Sequence, residues 1–163
     1  EMLRSLVGSE MCIRDRISGL FSGKSYNLNS LTVGETEDTT VSRMTISFTS
    51  DDRTFEQVKK QLNRSVEVIK VVDYTDIPIH NKEILFIKVK ECNTDDKDEV
   101  FRIANAFNFK ITDYDRKNIL VECLQTENQN NDAIKLFKQS FPNRIEVVRG
   151  GSVAVEAISM SER

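Results

Sequence analysis

The chain has 163 residues, 39% of them hydrophobic and 30% charged, with a net charge of −3 and a pI of about 5.3. That balance suits a soluble globular protein of one medium domain or two small ones and excludes a disordered chain. No basic block marks a nucleic-acid binder, and no apolar run approaches the roughly 20 residues of a membrane helix. Cys12, Cys92 and Cys123 form no CxxC pair, which points to a reduced, cytoplasmic setting.

In chain order, Ile17, Leu20 and Phe21 make a helical stripe that stops at Gly23. A strand is expected over Tyr26 to Val33. An acidic turn with Glu35, Glu37 and Asp38 follows, and then Met44, Ile46 and Phe48 alternate with Thr45 and Ser47, the period of a half-buried strand. Asp51 or Asp52 is placed to cap a helix whose stripe is Phe55, Val58 and Leu62. Val66 to Val72 is rich in β-branched residues and reads as a strand. With a first strand supplied or mimicked by the N-terminus, the order is βαββαβ, the ferredoxin-like unit.

Asp73 to Lys82 is a polar connector holding Pro78 and the lone histidine, His80. The pattern then restarts. Ile84 to Val89 reads as a strand. Asp95 or Asp96 is a plausible cap for a helix with Val100, Ile103, Ala104 and Phe107 on one face. Phe109 and Ile111 begin a strand, Asp115 to Asn118 turn, and Ile119 to Leu124 return. Ala133, Ile134, Phe137 and Phe141 mark a last helix, ended by Pro142. Ile145 to Val148 is a strand, and Gly150-Gly151 leads into Val153 to Ile158, a possible edge strand. Two α+β units of like layout thus stand in tandem, each near the size at which a single core is marginal.

Catalytic chemistry is poorly supported. One histidine supplies no cluster, and no carboxylate lies at metal-ligand spacing to it. Cys92 and Cys123 sit at strand ends and read as small apolar residues. Gly19 to Ser25, GLFSGKS, is close to a phosphate-binding loop. It lacks the first glycine, however, and follows a helix where a P-loop would open one. Gly23 and Lys24 are better read as a helix C-terminus. RNA-binding domains share the ferredoxin-like layout but need strand aromatics and a basic surface.

Arg16, Ile17, Gly19 to Ser22, Tyr26, Asn27, Ser30 to Val33 and Ser42 to Ile46 together resemble the opening block of the small, regulatory subunit of acetolactate synthase (acetohydroxyacid synthase). The resemblance continues through EQVKKQLNRSVEVIKVVDYT (56–75) to VRGGSVAV (148–155). It implies an α+β chain of tandem ferredoxin-like βαββαβ units, an N-terminal ACT domain over 16–76, a linker over 77–83, a C-terminal domain over 84–158 and a tail over 159–163. Residues 1–15 look like nothing in the family and are expected to be foreign or truncated sequence. The family's Asn-x-x-Gly turn aligns with Ser9 to Cys12, where both residues are lost.

The resemblance further implies a chain with no catalysis of its own. It would activate a large catalytic subunit and confer valine feedback inhibition in branched-chain amino acid biosynthesis. The effector, valine or a related amino acid, would lie between two ACT domains of a homodimer, with Asn27, Leu28 and Val33 near it. Thiamine diphosphate, magnesium and FAD are expected in the catalytic partner and no cofactor or metal in this chain. Neither nucleic acid nor membrane is expected as a partner. The alternative is a stand-alone ACT-type sensor acting on another enzyme or on transcription.

Overall fold

The computed structural model describes residues 2–8, 19 and 27–159. It divides into two compact units, one holding the described residues up to Asn81 and from Gly151 onward, the other Lys82–Gly150. The helix expected around Ile17 to Gly23, and the Ser9 to Cys12 turn, lie outside the described residues apart from Gly19.

The first unit contains β1 (Met2–Gly8), β2 (Asn27–Glu35), β3 (Ser42–Thr49), α1 (Asp52–Asn63) and β4 (Val68–Asp73). Its sheet order is β2-β3-β1-β4, every pairing antiparallel. Residues 2–8 therefore hold a central place, with Leu6 opposite Met44 on one side and Val71 on the other. Asp51 caps α1: its carboxylate accepts the Thr54 N–H at 2.7 Å, and that hydrogen bond holds the carboxyl below its ordinary value. Phe55, Val58 and Leu62 point from α1 onto Met44, Ile46 and Phe48, all buried, and Phe48 stacks on Phe55 at 5.6 Å. Each such side chain removed from water contributes roughly 1.5–3 kcal/mol. The strand expected from Val66 starts instead at Val68. Val66 lies fully out in solvent, in a turn closed by Val68 N–H to the Ser65 carbonyl.

The second unit runs β5 (Ile79–Val89, whose first three residues belong to the first unit), α2 (Thr94–Phe107), β6 (Lys110–Tyr114), β7 (Ile119–Gln125), α3 (Glu127–Ser140) and β8 (Ile145–Arg149). This is a complete βαββαβ series with sheet order β6-β7-β5-β8. Leu85, Ile87 and Val89 alternate inward from β5 and meet Val100, Ile103, Ile119, Val121, Phe137 and Phe141 in one core. β9 (Val153–Glu156) belongs to the first unit, where the Ala157 N–H donates to the Pro78 carbonyl.

Three expectations are corrected. β5 begins at Ile79, within the expected connector, because its alternation already runs through Asn81 and Glu83. The cap of α2 is Asn93, not Asp95 or Asp96. Asn93 accepts the Asp96 N–H, and Asp96 takes the Asn93 N–H in return, so Asp96 is the far half of a capping box. Phe107 is 58% exposed rather than buried, since α2 stops there and Asn108 turns left-handed at φ 58°.

Candidate functional site

Among the described residues β2 is an edge strand, with no described strand paired to its outer backbone groups. It opens at Asn27, which stands opposite Thr49. The register with β3 shifts between Leu28 and Ser30, which makes Asn29 a bulge residue. The Asn29 side-chain amide donates to Thr49 Oγ1 at 3.1 Å, an anchor for that bulge. The shift has a consequence for side-chain direction. Leu28 faces Phe48, Leu31 faces Ile46 and Val33 faces Met44. All three therefore share the helix-side face, whereas unbroken alternation would put Leu28 on the other.

The two apolar residues expected near an effector thus lie on one face but differ in environment. Leu28 is 38% exposed, whereas Val33 is half-buried and packs on the core. Their partners Phe48 and Met44 are four positions apart, about 13 Å at a strand rise of ~3.3 Å per residue. A ligand the length of valine that touched both would have to lie along the strand. Leu28 is the more accessible of the two.

The opposite face of β2 carries hydroxyls that the sequence patterns did not single out. Ser30 pairs with Ser47 and Thr32 with Thr45, and Thr45 and Ser47 are buried. Gly151 sits on this face so closely that a Cβ there would overlap Thr32 Oγ1 and lie 3.3 Å from the Ser30 Cβ.

The second unit carries a buried polar cluster. The Glu83 carboxylate, 2% exposed, accepts from the Arg149 guanidinium at 2.7 and 2.8 Å and from the Asn130 amide at 3.2 Å. Arg149 also donates to Asn131 Oδ1. Elsewhere Arg144 grips Asp96 at 2.7 and 3.3 Å and lies over the Phe141 ring; its hydrogen bond holds the Asp96 carboxyl below the ordinary range. These are long-range contacts, absent from any local spacing.

Nucleophilic chemistry has no focus among the described residues. Cys92 and Cys123 are buried. Burial pushes both thiols up, Cys123 to about 12. His80 is exposed on β5, and no three His, Cys, Asp or Glu side chains of the described residues converge as metal ligands. No helix of the described residues is long and apolar enough to cross a membrane.

Two α+β units with one shared strand order, the first presenting a bulged edge strand, define a tandem ACT-type protein. A family model described as "AHAS small subunit-like ACT domain" matches residues 13–70, and one described as "Small subunit of acetolactate synthase" matches residues 82–158. The acetolactate synthase small subunit of Aquifex aeolicus is 40% identical over 150 residues, covering 91% of this chain and 77% of that one. The small subunit of Haemophilus influenzae is 34% identical over 154 residues, covering 94% and 93%. The crystal structure of the small subunit from Thermotoga maritima superposes with a TM-score of 0.82 at 29% identity, covering 98% of each chain. The chain belongs to the acetolactate synthase small-subunit family.

Proposed function

We propose that this chain is the regulatory subunit of acetolactate synthase. It docks on the large catalytic subunit, raises its activity and makes it sensitive to valine. The observation that carries this reading is that both halves match in one chain, the first an ACT domain and the second the C-terminal domain of the same family. A stand-alone ACT sensor has no need of the second half, so that alternative is disfavoured. Thiamine diphosphate, magnesium and FAD belong to the catalytic partner, and the chemistry takes place there, in the cytoplasm.

The physical case for the effector site rests on β2. Two copies pairing along this edge would satisfy its outer backbone groups and place Asn27 and Leu28 at the seam. An asparagine amide offers donor and acceptor to an amino-acid zwitterion. Enclosing the isopropyl group contributes roughly 1.5–3 kcal/mol. Valine inhibits because it binds more tightly to the less active arrangement of the complex, and it shifts the balance by that difference in affinity.

The test is acetolactate formation by the large subunit with and without this chain, across a valine series, together with co-purification of the two. The chain should raise the rate and valine should lower it again. A Ser9→Asn/Cys12→Gly variant, which restores the family's turn, should tighten the valine response. No rate gain and no co-purification would overturn the reading.

A further inference from the structure

We propose that Gly151–Ala157 is a strap that rests through Gly151 on the hydroxyl face of β2, and that its seating conveys the effector state of that strand. This rests on the effector reading above and adds the route of regulation. β2 has two working faces. Leu28, Leu31 and Val33 face the helix side; Ser30 and Thr32 face the strap. Whatever binds at the Asn27–Leu28 end and fixes the strand is therefore felt directly by the segment resting on its back.

The contact is steric rather than bonded. Ser30 Oγ, Thr32 Oγ1 and Ser152 Oγ are all enclosed, and none has a hydrogen-bond partner among the described residues. Enclosing hydroxyls without partners is unfavourable, and lifting the strap would return them to water. The seated state is held by other means: Ala154 and Ala157 are buried, β9 touches β1, and the Ala157 N–H is bonded to Pro78. These terms oppose one another, and a ligand that fixes the strand adds to one side and so shifts the population between seated and lifted states. Gly151 is the fulcrum. With no side chain it lies flush on Thr32; any Cβ there forbids the close approach.

The test uses the full chain with its large subunit. Gly151→Ala should leave activation intact and raise the valine concentration for half-inhibition about tenfold, within the usual range of coupling between sites. It should also lower hydrogen-exchange protection of the Ser152–Glu156 amides. Thr32→Ala removes the atom that would collide, leaving Cβ contacts of 3.3 Å to Ser30 and 3.4 Å to residue 32, so the Gly151→Ala/Thr32→Ala double variant should recover most of both readouts. An unchanged valine curve in Gly151→Ala, where the parent responds, overturns the strap alone. Unchanged exchange protection does the same. Absence of any valine response in the parent and in its Ser9→Asn/Cys12→Gly variant overturns the effector reading and the strap's role with it.

Discussion

The two units are drawn to one plan, strand order β2-β3-β1-β4 in the first and β6-β7-β5-β8 in the second, yet they close differently. In the second unit, two helices with capping boxes cover one sheet face, and a twelve-residue core lies beneath them. Its buried carboxylate is held by charge: Glu83 accepts from both Arg149 and the Asn130 amide, although Asn130 Oδ1 has no partner among the described residues. In the first unit the enclosed hydroxyls of Ser30, Thr32 and Ser152 have no hydrogen-bond partner among the described residues. A buried carboxylate gripped by a guanidinium fixes one arrangement, whereas unpartnered hydroxyls leave room for two. The comparison assigns scaffold to the second unit and response to the first.

The largest effect should come from emptying the core of the second unit. Phe137 is fully buried and touches Phe109 and Phe141 at 6.5 and 6.1 Å between ring centroids. Phe137→Ala should cost about 3–5 kcal/mol by denaturant unfolding. Phe48→Ala in the first unit removes an equally buried ring, one that stands opposite Leu28 of β2. If the units differ as argued, Phe48→Ala should blunt valine inhibition at concentrations where Phe137→Ala mainly lowers the unfolding midpoint. Equal effects of both on both measurements would erase the distinction.

Next comes the charged cluster. Arg149→Met leaves the Glu83 carboxylate buried without its cation. The cost should be about 2 kcal/mol, below the ~3–5 of a fully enclosed pair because Arg149 is one-third exposed. Glu83→Gln/Arg149→Met should recover part of it, as expected when both charges leave together. Thermal unfolding of the three variants checks this. A loss in Arg149→Met no larger than that of an exposed arginine such as Arg102 would demote the cluster to surface charge.

A smaller effect tests the helix starts. Asn93→Ala and Thr126→Ala each remove a side chain that accepts an N3 amide, Asp96 and Gln129 respectively. Each should cost about 1 kcal/mol. Thr126 has the longer bond, 3.4 Å against 2.8 Å, so it should cost the less of the two.

Much of this was legible from local spacing. The alternation of Met44, Ile46 and Phe48, and the stripe of Phe55, Val58 and Leu62, placed the first core because burial of one face imposes a period on the chain. Val100, Ile103 and Ala104 did the same for α2. The caps were nearly legible: Asn93-x-x-Asp96 and Thr126-x-x-Gln129 are written in the sequence, but adjacent aspartates drew attention from Asn93. Three features were not legible for a physical reason. The Asn29 bulge depends on where β3 pairs, not on β2 alone. Glu83 and Arg149 are separated by 65 intervening residues, the gap from 83 to 149. The seating of Gly151 on Thr32 joins residues from opposite ends of the chain, and no local period records it.

The last test has no effect on stability at neutral pH and separates the units by reactivity. Both described cysteines lie in the second unit, buried. Burial raises the Cys123 thiol from 9.0 to about 12, which leaves about a thousandfold less thiolate than an open cysteine at the same pH. Site-resolved alkylation should therefore find Cys123 unreactive until the second unit opens, and its labelling rate should track the unfolding of that unit. The sign of the linked pH dependence follows from the raised value. The neutral thiol is favoured in the folded state, so its contribution is fully present below 9.0. It is lost as the pH rises from there toward 12, since the unfolded chain ionises first. Cys123→Ala should remove this alkaline limb while costing little packing volume. Rapid labelling of Cys123 in the folded protein would mean that the second unit opens as readily as the first, and the division between scaffold and response would fall.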